Sequence, residues 1–257
     1  MISYGISHIG MKRSVNQDAF IIKEYSRSTL LTVVCDGMGG TRGGKEAAAI
    51  ASEAFVSEFD KYIAPHLRTN RNLRDNDVAK ALQKAVSYAN NAVLAYAGRH
   101  PELKGMGTTL IALFAYGREL FYANVGDSRL YLANSRTIRR MTKDHSYVQY
   151  LIDTHQITER EAARTKGKNL ITRAVGTEST VAADLYHHTL AEDSEATLLL
   201  CSDGLYNMVP EKAILRTLTG TSLIRAESVE SRAKRLIAQA NKNGGNDNIT
   251  AVIVKIS

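Results

Sequence analysis

The sequence predicts an α+β layered sandwich. Its predicted strands occur in clusters, its predicted helices occur in pairs, and the regular strand–helix alternation of a parallel sheet is absent. Apolar or alternating runs predict strands near 18–23, 29–35, 107–116, 119–124, 128–133, 184–189, 195–201 and 249–256. The turns "YGRE" and "VGDS" separate three of the middle runs, so we expect an antiparallel meander there.

Two amphipathic helices separate the early strands from the middle ones. They run from Gly44 to about Tyr62 and from Asn76 to Ala97, and apolar residues recur on one face of each. Many of these residues are alanine, so we expect the helices to pack closely together or onto a sheet. Two further helices are predicted at about 210–219 and 224–242.

One further segment, about 145–165, is polar and basic and resembles a surface excursion more than a core element. It contains a predicted helix start at Thr158, three residues before Glu161. The wider stretch from about His145 to Thr177 is polar and contains the basic residues Arg160, Arg164, Lys166 and Lys168, so we expect it to bury little surface and to open easily.

Length and composition indicate one soluble globular domain over residues 1–257. The chain is 44% hydrophobic and 23% charged, contains only three prolines, and has no apolar run near the roughly 18 residues that span a bilayer. With no signal pattern at the start, we expect a cytoplasmic protein. Cys35 and Cys201 lie in apolar runs and are expected to be buried thiols.

The net charge of +7 suits a nucleic-acid ligand or an anionic substrate as well as simple solubility. The chain lacks zinc-ligand spacing, an aromatic RNA-binding signature and a basic low-complexity tail. We therefore expect no nucleic-acid partner.

Aspartates recur where predicted strands begin or end. They are Asp18, Asp36, Asp127, Asp203 and Asp247, and three of them have a glycine directly beside them. Each one alone is readily explained as a turn residue. Together they suit a hard-cation site, because Mg²⁺ and Mn²⁺ prefer oxygen ligands, and the carbonyl of Gly37 could add one more.

Covalent chemistry fits the same residues poorly. The two cysteines lie inside strands, no Cys-x₅-Arg phosphate loop is present, and Met38 stands where an aspartyl-phosphate enzyme needs a second acid. Ser128 and Ser202 adjoin acids, but neither lies in a nucleophile elbow or has a paired histidine. His145 is interpreted as a structural residue.

Eight short blocks, in order along the chain, resemble the metal-dependent protein phosphatases of the protein phosphatase 2C type, in their compact bacterial form. The blocks are "RSVNQD", "DGMGG", "GMGTTL", "NVGDSRLYL", "TKDHS", "TRAVGT", "CSDGLYNMV" and "DNITAVIV". The resemblance implies a four-layer αββα sandwich of two antiparallel sheets flanked by helix pairs. It also implies a flap subdomain at about 145–178.

The resemblance further implies a centre of two Mn²⁺ or Mg²⁺ ions, with a weaker third. Asp36 is similar to the bridging ligand, Gly37 to a carbonyl ligand, and Asp203 and Asp247 to the other direct ligands. Asp127 resembles a ligand of the third ion. Asp18 is similar to an acid that orients metal-bound water, and Arg13 to the arginine that clamps the substrate phosphate.

The activity implied is hydrolysis of phosphoserine and phosphothreonine in proteins by a hydroxide that the two metals activate. A cognate Ser/Thr kinase and a monomeric state are implied as well. Two departures from the family pattern are Met38, where animal members have a histidine, and Gln17, where many members have an acid. The alternatives are a non-catalytic binding module of the same fold and a two-metal phosphoesterase acting on non-protein substrates.

Overall fold

Two antiparallel β-sheets face each other in the computed structural model of this chain, which describes residues 1–69, 73–162, 165, 170–192, 194–220 and 227–257. Their strands are β1 (Ile2–His8), β2 (Asp18–Ser26), β3 (Thr29–Met38), β4 (Gly107–Thr108), β5 (Leu110–Tyr116), β6 (Glu119–Val125), β7 (Arg129–Ala133), β8 (Ile138–Arg140), β9 (Asp184–Thr189), β10 (Ala196–Cys201) and β11 (Ile249–Ile256). The first sheet has the order β1-β11-β10-β7-β8. The second has the order β2-β3-β5-β6-β9, with β4 paired to β3.

Helices cover the outer face of each sheet. The α-helices among the described residues are α1 (Gly40–Arg68), α2 (Asp75–Arg99), α3 (Tyr147–Asp153), α4 (Glu159–Ala162), α5 (Asp203–Tyr206), α6 (Glu211–Thr219) and α7 (Val229–Lys242). The long pair α1 and α2 packs on the second sheet, whereas α6 and α7 pack on the first. The predicted four-layer αββα sandwich is therefore confirmed. None of the helices in the described part of the chain is long and apolar enough to cross a membrane.

Side chains that alternate between the two faces of each sheet form three hydrophobic cores, one under each helix pair and one between the sheets. In β3, Val33 and Cys35 face the α1–α2 core, whereas Leu30 and Val34 face the space between the sheets. In β10, Leu199 and Cys201 face α6 and α7 in the same way, while Leu198 and Leu200 face the other sheet. Successive side chains of a strand point to opposite faces, so a strand apolar on both faces must lie between two layers. Both cysteines are buried free thiols, as predicted.

The boundaries differ from the prediction in several places. Strand β1 was not predicted, because it is an edge strand whose residues are mostly half-buried and mixed in polarity. Strand β8 and helix α5, of three and four residues, were also missed. Helix α1 is longer than predicted at both ends. The predicted start of α7, near 224, lies outside the described residues.

The polar segment after His145 forms two short helices, α3 and α4, separated by a turn. The predicted helix start is confirmed, since the Thr158 backbone N–H donates to Glu161 at 2.8 Å. The described part of the segment buries little, as expected: Leu151 is the one buried residue of α3 and α4 has none, although His145 at one end of the segment and Val175 at the other are buried. Of the predicted basic residues, Arg164, Lys166 and Lys168 lie outside the described residues.

Candidate active site

An open cleft of about 400 Å³ lies where strands of both sheets begin or end. Its lining includes six of the residues predicted for the site: Arg13, Asp36, Gly37, Asp127, Asp203 and Asp247. Asp18, the seventh, is not part of the lining but pairs with Asp36 across β2 and β3. The topology therefore brings together acids that are more than 200 residues apart in the chain.

Asp36 lies at the centre of this acidic cluster. Its backbone is held on both sides: its N–H donates to Thr109 Oγ1 at 2.9 Å, and its carbonyl accepts from Thr109 N at 2.9 Å. Burial raises the pKa of the Asp36 carboxyl well above its ordinary range, and the charges of Asp18 and Asp203 raise it further. The backbone hydrogen bonds to Thr109 thus hold the Asp36 carboxylate close to Asp18 and Asp203, whose charges repel it.

The carboxylate of Asp18 accepts hydrogen bonds from two hydroxyl groups. Ser202 Oγ donates to Asp18 Oδ2 at 2.7 Å, and Thr250 Oγ1 donates to the same oxygen at 2.6 Å. The other oxygen, Oδ1, is buried without a hydrogen-bond partner in the described structure. Burial is the main cause that raises the pKa of Asp18, while the two hydroxyl groups oppose the rise. Asp18 therefore presents one unsatisfied acceptor atom.

Asp203 and Asp127 form a second pair in the cleft. Burial raises the pKa of Asp203, and the charge of Asp127 is the next cause. Burial also raises the pKa of Asp127, to about 6. The Tyr206 hydroxyl donates to the Asp127 carbonyl oxygen at 3.0 Å, so α5 positions both acids.

Arg13 is the only basic residue in the lining of the cleft as described. Its Nη2 donates to Asp247 Oδ2 at 2.7 Å. The hydrogen bond to Asp247 raises the pKa of Arg13, although partial burial opposes the rise. The guanidinium side chain is 51% exposed, so it remains accessible to a ligand that enters the cleft.

Gly37 is required by packing. A Cβ on Gly37 would lie 2.0 Å from the backbone oxygen of Gly44 and 2.7 Å from that of Gln17. The sequence analysis expected only that the carbonyl of this glycine could be a metal ligand. The structure shows that the start of α1 and the segment before β2 leave no space for a side chain here.

Asn248 is a positioning residue that the sequence analysis did not identify. Its Nδ2 donates to the carbonyl oxygens of Ile9 and Val15, both at 2.9 Å, and its Oδ1 accepts from Gln17 N at 2.8 Å. These bonds fasten the segment that carries Arg13 to the start of β11. The sequence signal for this role was an asparagine directly between the predicted ligand Asp247 and the apolar run of β11. One sequence does not indicate which residues the asparagine side chain bonds.

Burial and hydrogen bonding decide whether Ser128 or Ser202 could act as a nucleophile and what His145 does. Ser128 and Ser202 are fully buried, and their hydroxyl groups bond Thr109 and Asp18 respectively. Neither is accessible as a nucleophile. His145 Nδ1 accepts from Gly126 N at 3.0 Å, and burial lowers its pKa, so the ring is neutral and holds the β6–β7 turn. This agrees with the structural interpretation of His145.

The cluster fits hard divalent cations. Its donors are all oxygens, and one buried oxygen of Asp18 has no partner in the described structure. Burial, and after it the repulsion between neighbouring carboxylates, raises the pKa of Asp36 and Asp203. Among the described residues, no three His, Cys, Asp or Glu side chains enclose one point as a preformed cage would. Mg²⁺ and Mn²⁺ usually keep several waters and need few protein ligands, so an open set of acids suits them.

Comparisons with known proteins agree with this geometry. The family model for protein phosphatase 2C matches residues 4–248, and the chain belongs to that family. It is 35% identical to the serine/threonine phosphatase stp of Listeria welshimeri over 96% of this chain and 92% of that protein. A solved bacterial serine phosphatase, 31% identical, superposes with a TM-score of 0.84 over 100% of this chain and 98% of that one.

A third comparison bears on the metal centre. The catalytic domain of the phosphatase PstP, solved in complex with two manganese ions, is 31% identical. It superposes with a TM-score of 0.80, and the match covers 100% of this chain and 98% of that one.

Proposed function

We propose that this chain is a metal-dependent protein phosphatase that hydrolyses phosphoserine and phosphothreonine in proteins. The observation that carries the proposal is an open cleft whose described lining has four carboxylates and one basic residue, Arg13, with the carboxylate of Asp18 beside Asp36. Membership of the protein phosphatase 2C family and the names of the relatives support it. The non-catalytic alternative is disfavoured because none of the expected acidic ligands has been lost.

The residues divide into ligands and groups that act on substrate or water. Asp36, Asp203, Asp247 and the Gly37 carbonyl would hold two Mn²⁺ or Mg²⁺ ions, and Asp127 with Asp203 would hold a weaker third. When bound, the ions supply an activated water and neutralise phosphate charge. Asp18 Oδ1, which has no partner in the described structure, would accept a hydrogen bond from a water in the cluster. Met38 carries no exchangeable proton, so the proton for the leaving oxygen must come from another group, which we propose is water.

Arg13 is proposed to bind the substrate phosphate through its guanidinium. Arginine forms paired hydrogen bonds to phosphate oxygens, which a lysine cannot reproduce. In the structure this side chain is exposed and bonds Asp247. A phosphate in the cleft would compete for the same donor atoms.

The Arg13→Ala variant is expected mainly to raise KM, because a contact made equally in the ground state and the transition state contributes uniform binding. Steady-state kinetics on a phosphothreonine peptide would measure this, with Arg13→Lys as a variant that keeps the charge. The Mn²⁺ concentration for half-maximal activity should not rise, since Asp247 is then freed from its ion pair. An unchanged KM would remove the clamp assignment.

The decisive test of the activity is hydrolysis of a phosphothreonine peptide with Mn²⁺, after chelation with EDTA, and after Mn²⁺ is added back. We expect activity with Mn²⁺, no activity after chelation and recovery on addition. Full activity after exhaustive chelation would exclude the two-metal mechanism. Activity on a nucleotide or DNA but not on the peptide would instead support a phosphoesterase for non-protein substrates.

The cellular setting is part of the proposal. We propose that the chain acts as a monomeric, single-domain cytoplasmic phosphatase over residues 1–257, with a flap subdomain at about 145–178, opposing a cognate Ser/Thr kinase.

A further inference from the structure

A second cavity, of about 370 Å³, adjoins the catalytic cleft, and we call it the side groove. It is lined by Met38, Ile171, Thr172, Arg173, Ala174, Thr177, Glu178, Thr180, Val181 and Ala182. Met38 and Ile171 also line the catalytic cleft, so the two cavities share a wall. A peptide whose phosphoresidue occupies the cleft therefore has a place beside it for a neighbouring side chain.

The far wall of the side groove is a fixed part of the fold. Val175 N donates to the Thr108 carbonyl oxygen at 2.8 Å, and Thr108 N donates back at 3.0 Å, which ties this segment to β4. The buried side chain of Asn90 on α2 accepts from Gly176 N at 2.7 Å and donates to the Glu178 carbonyl oxygen at 2.9 Å. The groove is thus formed before a ligand binds, so little ordering entropy opposes binding.

The side groove has one charged side chain without an ion-pair partner among the described residues, the carboxylate of Glu178. The guanidinium of Arg173 is already engaged by Asp184 at 2.7 Å, which compensates its charge. Glu178 is exposed, and its carboxylate forms no ion pair with any of the described residues. The remaining lining consists of half-buried apolar side chains (Met38, Ile171 and Val181), small residues and hydroxyl groups. A partly apolar groove with one unpaired carboxylate among its described lining residues suits a long basic side chain.

We infer that the side groove is a specificity site that accepts a lysine or arginine near the phosphoresidue of the substrate. The methylene stem would pack along Met38 and Val181, and the cation would reach Glu178. This inference rests on the proposed phosphatase activity and names its preferred substrate class. Glu178 is a specificity residue that does not touch the reacting atoms.

The test compares phosphothreonine peptides that carry lysine, alanine or glutamate at one position on either side of the phosphothreonine. Wild-type enzyme is expected to prefer lysine at one of these positions. Glu178→Gln should lower the kcat/KM ratio of the lysine peptide to the alanine peptide by about threefold to fivefold, the scale of one exposed ion pair. Glu178→Lys should reverse the order of the lysine and glutamate peptides.

Glu53→Gln is the matched control. It removes the same charge from a chain of net charge +7, so it reproduces any long-range effect. Glu53 is exposed on α1, 13 residues after Gly40 and therefore about 20 Å along the helix from the cleft. This variant should keep the wild-type peptide ranking.

The outcomes separate the inference from the proposed function. If no phosphopeptide is hydrolysed by the wild type, the phosphatase proposal fails. If the peptides are hydrolysed but Glu178→Gln leaves their ranking unchanged, only the side groove assignment is overturned. An equal change in both Glu178→Gln and Glu53→Gln would also overturn it, because the effect would then be one of net charge.

Discussion

Replacing Asp36 by asparagine is expected to lower kcat/KM by more than about 100-fold, since loss of even an outer partner of a metal costs about 10- to 100-fold. The metal-free variant should nevertheless be at least as stable as the wild type. Asparagine keeps the backbone bonds to Thr109 and removes a charge that Asp18 and Asp203 repel. Activity and metal-free stability therefore change in opposite directions, which a folding defect would not produce.

Asp247→Asn is the informative comparison for this variant. It should lose activity to a similar extent, but without a gain in metal-free stability, because Asp247 is paired with Arg13. Thermal melting in EDTA and in Mn²⁺, together with kinetics, measures both quantities. A large loss of metal-free stability in Asp36→Asn would contradict the picture of a repulsive cluster.

The metal-free protein is expected to lose stability as the pH rises from about 4 through 6 and beyond, and Mn²⁺ to restore it. A carboxyl whose pKa is higher in the folded chain binds more protons when folded, so deprotonation at higher pH favours unfolding. Burial raises the pKa of Asp127 from 3.8 to about 6, and the pKa values of Asp36 and Asp203 are raised as well. Bound cations would remove this repulsion.

Other carboxyls act in the opposite direction. The pKa values of Asp184 and Glu119 are lowered by their partners despite partial burial, so they contribute stability that is lost as the pH falls. Their contribution does not depend on metal. The useful quantity is therefore the rise in Tm caused by Mn²⁺, which should be larger at about pH 7.5 than at about pH 5 by on the order of 5 °C. The same rise at both pH values would contradict a cluster of acids that must ionise to bind metal.

The sequence by itself determined the layer composition and the candidate acids. The residues of β3, β10 and β11 are apolar on both faces, which is possible only for strands between two layers, and the two early helices have one apolar face each. Aspartates lie near the ends of those strands: Asp36 near the end of β3, Asp203 just after β10 and Asp247 just before β11. These are local features, because burial of a face is encoded in the period of the residues that form it.

Only the tertiary structure decided how the acids are arranged and supported. Asp18 lies opposite Asp36 because β2 pairs with β3, and its hydroxyl partners, Ser202 and Thr250, come from the end of β10 and from β11. Edge strand β1, with mixed polarity, could not be recognised without its partner β11. Likewise, Asn248 became a positioning residue only through contacts with Ile9, Val15 and Gln17, more than 200 residues away. Residue patterns report which side of an element is buried, but the neighbour that buries it depends on pairing between distant segments, which no local pattern encodes.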